Sequence, residues 1–148
     1  MSPITASPTS VTSIENANTV RKVIDEIWNR GQMAMADMFF TADYVDHDPA
    51  STSTMRGPEA VKHNATMYRK AFPDLHLHIE DTISDGDHVV ARWTSTGTHT
   101  GDLIGIAPTG KSTTCTGITI ARFENGKIAE EWANWDTLGL MRQLGVVK

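Results

Sequence analysis

The sequence has a single cysteine, Cys115, so no internal disulfide can form and a disulfide scaffold is excluded. A lone thiol suits a reducing compartment, and a cytoplasmic location is expected. Long apolar runs are missing as well. None approaches the length of a membrane span, which argues against a membrane partner. Positive charge is scarce: 13 Lys and Arg stand against 18 Asp and Glu, a formal net charge of −5, with no basic cluster to offset it. A nucleic-acid partner is therefore not expected. Residues 1–13 have neither a basic start nor an apolar centre and are rich in Ser, Thr and Pro, unlike a secretory signal. Such a composition buries little, so a disordered tail is expected there, followed by one domain over residues 14–148.

What is present is ordinary globular material, with 39% hydrophobic and 21% charged residues in 148. A chain of this size buries enough surface to fold without staples or a structural metal. Val20, Val23, Ile24, Ile27 and Trp28 recur at helical spacing before Gly31 and predict a helix from Ser13 to Arg30. A short helix is expected over Met33 to Phe40, then a brief strand at Tyr44–Pro49. Pro58 and Glu59 open a third helix whose apolar face is Val61, Ala65, Tyr68 and Phe72. After Pro73 the period changes to that of strands: Leu75, Leu77 and Ile79 alternate with His76, His78 and Glu80. Asp85-Gly86 and Glu124-Asn125-Gly126 read as hairpin turns. Helices first, then consecutive antiparallel strands and a short terminal helix, imply an α+β layer with helices across one face of a curved sheet.

Gly105-Ile-Ala-Pro-Thr-Gly110-Lys111-Ser112 matches the phosphate-binding loop pattern. That motif needs a helix directly after its lysine, with amides facing phosphate. A β-branched run follows instead, so a strand-connecting loop is expected.

The candidate chemistry gathers near the last hairpin. Trp132, Asn134 and Asp136 alternate along its second strand and share one face. If that face is the inner one, a carboxylate and an amide stand beside an indole wall. Asp136 would then be a general base, or, directly before a helix, its N-cap. His47 is a pocket acid or donor, or an exposed turn residue. The Asp46-His47-Asp48 run does not make a metal site, because strand neighbours point to opposite faces, and no metal is expected. His99 lies where a strand enters a glycine-flanked loop. Arg122 shares the phase of Ile118 and Ile120, facing inward as an oxyanion stabiliser or lying at the surface.

Several stretches, in order, resemble the SnoaL-like polyketide cyclase (ester cyclase) family of the nuclear-transport-factor-2-like superfamily. They are Tyr44–Pro49, Arg56–Val61, Ala71–His76, Gly97–Gly101, Gly105–Lys111, Gly126–Asp136 and Arg142–Gly145. The resemblance implies a cone-shaped barrel of a curved mixed or antiparallel sheet, helices over one face, a deep apolar cavity and a homodimer through the sheet. It also implies intramolecular aldol chemistry without metal or cofactor, an aspartate removing an activated C–H proton. Asp136 is the position that matches that aspartate, and Ala121 and Arg122 stand where the founding cyclases suggest a histidine.

The expected function is thus cofactor-free acid–base chemistry, an aldol-type cyclisation or enolisation, on a small to medium apolar carbonyl substrate. Asp136 and His47 are the expected catalytic residues; Trp132, Asn134, His99, Arg122 and Tyr68 are the expected substrate contacts. A non-catalytic carrier or sensor using the same cavity, and an epoxide-hydrolase-like enzyme, are the alternatives.

Overall fold

The computed structural model describes residues 11–148, so most of the expected N-terminal tail lies outside the described residues. Helix α1 (Val11–Lys22) runs without a break into a π-helical segment, Val23–Asn29. The single helix expected from the spacing is present, with its last turns widened: the Arg30 N–H reaches back to the Asp25 carbonyl at 3.1 Å. Arg69 closes this end, its Nη1 donating to the carbonyls of Trp28 (2.7 Å) and Asn29 (2.9 Å). A tight turn at Met33–Met35 leads into α2 (Ala36–Phe39) and directly into strand β1 (Phe40–His47).

Helix α3 (Pro58–Ala71) starts as its sequence dictates, with Pro at the first turn, Glu59 near the positive end, and Arg69 and Lys70 in the last turn. Gly57 precedes it at φ +71 and donates its N–H to the Tyr44 carbonyl at 2.8 Å, which ties the helix start to β1. Strands β2 (His76–Asp85), β3 (His88–Thr98), β4 (Ser112–Glu124) and β5 (Lys127–Trp135) follow, then α4 (Thr137–Leu144). No helix follows Lys111; β4 begins at Ser112, so the phosphate-loop lookalike is a connection between strands, as expected.

The strands form one mixed sheet in the order β1-β5-β4-β3-β2, parallel between β1 and β5 and antiparallel elsewhere. The sheet does not close. Among the described residues β1 and β2 are the sheet's edges, so the expected barrel is an open curved sheet whose concave side is completed by the helices. A first core group, including Ile27, Phe40, Val89 and Ile128, packs helices onto this side. A second, including Phe72, Leu103, Leu140 and Leu144, closes the other end under α4. Among the described residues no helix is long and apolar enough to cross a membrane.

Three register shifts interrupt the ladder among the described residues, and one decides which residues reach the interior. Between β4 and β5 the register steps from Arg122↔Glu130 to Phe123↔Ile128, leaving Ala129 as the extra residue. Ile128 points inward, and so do Glu131, Ala133 and Trp135, whereas Glu130, Trp132 and Asn134 point outward.

Candidate active site

The helices and the concave face of the sheet enclose a cavity of about 700 Å³, a volume suited to a small or medium organic ligand. Its walls are largely aromatic and aliphatic: Trp28 and Tyr68 from the helices, Phe40, Trp93 and Trp135 from the sheet, Phe72 at the end of α3. No Lys or Arg lines it. Three carboxyl groups do: Asp46, Asp48 and Glu131.

Local strand geometry puts them there. Tyr44, Asp46 and Asp48 occupy alternate positions at the end of β1 and share its inner face. Parallel pairing sets Asp46 directly opposite Glu131 of β5. The Tyr44 hydroxyl donates to Glu131 Oε1 at 2.7 Å. Asp48 is satisfied twice, by the Ala50 N–H (2.8 Å) and by Trp135 Nε1 (3.2 Å). Asp46 lies between these two carboxyls, and its own has no hydrogen-bond partner among the described residues.

Burial separates the protonation states of these neighbours. The Asp46 carboxyl is pushed up to about 6, first by loss of solvent and then by the Asp48 charge, with His47 pulling the other way. Glu131 is pushed up to about 8 by burial; the Tyr44 hydrogen bond opposes this, and the Asp46 charge adds to it. Near neutral pH, Asp46 is mostly an available base and Glu131 mostly a protonated acid. Tyr68, raised to about 12 by burial and then by Asp48 and Asp46, keeps its proton as a donor. Neighbouring groups driven apart in this way make an acid–base pair.

The sequence matches the family model of the SnoaL-like polyketide cyclase over residues 18–144. Aklanonic acid methyl ester cyclase DnrD of Streptomyces peucetius is 32% identical over 133 residues, covering 85% of this chain and 88% of that one. Its counterpart AcmA of Streptomyces galilaeus is 29% identical, covering 88% and 91%. The chain belongs to the SnoaL-like polyketide cyclase family. It is an enzyme of the SnoaL cyclase type. Among solved structures, TsrD from Streptomyces laurentii superposes with a TM-score of 0.82 at 27% identity, covering 90% of this chain and 97% of that one. A SnoaL-like polyketide cyclase from Agrobacterium tumefaciens str. C58, 19% identical with a TM-score of 0.73, covers 88% and 98% and shares the fold.

Against this SnoaL-like frame, the residues singled out from the sequence fall in several places. Tyr68 lines the cavity. Trp132 and Asn134 do not: the Ala129 bulge reverses the parity counted from Ile128, and a one-residue slip sends every later side chain to the opposite face. They sit with His47 in a shallow depression on the convex side. There the Trp132 ring is stacked against His47 (5.4 Å) and, on a longer contact, His88 (6.3 Å), and His47 Nε2 meets Glu130 at 2.7 Å. Arg122 is also outward, bound to Glu130 (3.1 Å) and Glu124 (2.7 Å). Its phase-mates Ile118 and Ile120 face outward too; the inner face of β4 is Thr113, Cys115, Thr119 and Ala121.

Asp136 caps α4, accepting the Gly139 N–H at 2.8 Å, and its side chain is exposed. His99 is fully buried against Phe72. Its Nδ1 accepts the Thr109 N–H at 3.2 Å and so anchors the loop between β3 and β4, while its Nε2 is buried without a partner among the described residues.

The cavity carboxyls were missed from the sequence for different reasons. Tyr44, Asp46 and Asp48 alternate in the sequence, but so do Val45 and His47, and alternation alone does not say which set faces the cavity. Glu131 carries no signal without the bulge.

Proposed function

We propose that this SnoaL-like cyclase performs cofactor-free acid–base chemistry on a small to medium apolar carbonyl compound, with Asp46 as base and Glu131 as acid. Asp46 takes a proton from a carbon acidified by flanking carbonyls. The enolate attacks a second carbonyl of the same molecule, and the resulting alkoxide takes the proton held by Glu131. No atom is lost, and proton exchange with solvent restores both carboxyls. The Tyr68 hydroxyl is a neutral donor for the enolate oxygen, which suits a cavity without cations. The observation that carries the reading is the pairing of Asp46 with Glu131 inside the cavity. The names of the aklanonic acid methyl ester cyclases support a carbonyl-rich ester as the kind of substrate.

The test is exchange of the α-protons of a 1,3-dicarbonyl ester in D2O, followed by NMR. Wild-type protein should accelerate exchange and Asp46→Asn should not. Undiminished exchange by Asp46→Asn would remove Asp46 from the mechanism; binding without any exchange would favour a carrier.

A homodimer through the convex face of the sheet belongs to the same proposal. Ile83, Val90, Ile120 and Trp132 form a row across four strands there, and Ile83 is 67% exposed. Ile120→Arg should yield a monomer by light scattering; an unchanged mass would place the contact elsewhere.

A further inference from the structure

Gly117 sits in the middle of β4, where glycine weakens a strand and gives nothing to pack. Its backbone is ordinary strand, open to any residue, so the position does not demand glycine for its conformation. The demand is spatial. Gly117 pairs with Trp93 on β3 and with Trp135 on β5, so the three form one row across the sheet. A Cβ at Gly117 would run into the Trp93 ring, against Cζ2 and, at 2.7 Å, Cη2, and would stand 2.8 Å from the Trp135 Cβ. Neither indole turns away without giving up a hydrogen bond. Trp93 Nε1 donates to Thr119 Oγ1 at 3.0 Å, and Trp135 Nε1 donates to Asp48.

Both indoles line the cavity. Trp93 lies down over the missing side chain, and that sets how far the ring projects into the cavity. Trp135 meets Tyr68 edge-on at 6.1 Å, and Tyr68 meets Trp28 at 6.2 Å, so the floor continues into the helical wall.

We infer that Gly117 is the specificity-determining residue of this cavity: by letting the Trp93 ring lie across the strand, it sets the largest ring system the site admits. The inference rests on the cavity being the substrate site, but not on which carboxyl moves the proton. A side chain at Gly117 lifts Trp93 into the cavity and shortens the space available to ligand. The apolar floor so formed takes the flat face of a conjugated carbonyl compound.

The test uses three neutral methyl ketones of increasing size, acetophenone, 2-acetonaphthone and 2-acetylanthracene, with binding read from tryptophan fluorescence. Gly117→Ala should weaken the anthracene ketone about tenfold more than acetophenone, the scale of a crowded apolar pocket. The double variant Gly117→Ala, Trp93→Ala should return that selectivity to the wild-type order. Trp93→Ala alone, which introduces no clash, should improve the anthracene ketone relative to acetophenone, and it decides the matter if Gly117→Ala does not fold. Equal loss of all three ketones by Gly117→Ala, or unchanged size preference in Trp93→Ala, would overturn the inference. Exchange of the α-protons of a 1,3-dicarbonyl ester in D2O, measured on the same protein variants, separates the two readings. Absent exchange with intact size selection counts against the acid–base proposal alone, and normal exchange without size selection counts against Gly117 alone.

Discussion

Asp46 and Glu131 are cross-strand partners on β1 and β5, side by side on the inner face, and burial has driven their carboxyls to about 6 and about 8. The pair is unequal because their surroundings differ. Glu131 receives the Tyr44 hydroxyl yet sits deeper among apolar groups, while Asp46 borders both the cavity and the convex depression.

The first prediction is a bell-shaped pH dependence. On the acid side kcat/KM should rise as Asp46 loses its proton near 6, and on the alkaline side fall as Glu131 loses its own near 8. Asp46→Asn should reduce turnover by about two to four orders of magnitude, the usual weight of one acid–base group. Glu131→Gln should remove the alkaline limb, and an alkaline limb that survives in Glu131→Gln would assign it to another group.

Tyr44→Phe tests the link between the pair and the core. The hydroxyl donates to Glu131 and so favours its charged form; without it the carboxyl becomes harder to ionise. The alkaline limb should move upward, with about 1 kcal/mol of stability lost with the hydrogen bond. A limb that moves downward would contradict the assignment.

Stability should also respond to pH in a stated direction. Both carboxyls hold their protons more tightly in the folded chain than at their ordinary values of 3.8 and 4.5. Their contribution is therefore fully present below about pH 4 and is lost as pH rises through about 6 for Asp46 and about 8 for Glu131. Glu131→Gln keeps an acceptor for Tyr44 and removes the buried charge. It should be more stable than wild type at pH 9, by up to about 5 kcal/mol for a carboxyl raised from 4.5 to about 8, and equal to it at pH 4. Thermal melts across this range measure the difference, and equal melting temperatures at pH 9 would show that Glu131 carries no such strain.

The fold was legible in the sequence because its determinants are local. Helical spacing in Val20–Trp28, the Pro58-Glu59 start, and the turns at Asp85-Gly86 and Asn125-Gly126 each name their element without knowledge of the rest. The site was less legible. Which face of β5 is inner depends on Ala129, an unremarked residue whose role as a bulge is fixed only by pairing with Arg122 and Phe123 on another strand. The phase of Ile118 and Ile120 suggested an inner face for β4, but the small and polar residues line the cavity, because a site that holds ligand leaves room where a core would be filled.

Asp136 provides the sharpest contrast between the two readings. In the structure its Oδ1 accepts the Gly139 N–H, as an N-cap at the start of α4 does, and Gly139 has no Cβ to crowd the other carboxylate oxygen, Oδ2. Asp136→Ala should cost about 1 kcal/mol of stability, the weight of a cap, and leave proton exchange near the wild-type rate. Asp136→Asn, which still caps, should be nearly neutral in both respects. Loss of exchange in Asp136→Asn with an unchanged melting temperature would return the catalytic role to Asp136, because a conservative cap replacement has no other route to abolish turnover.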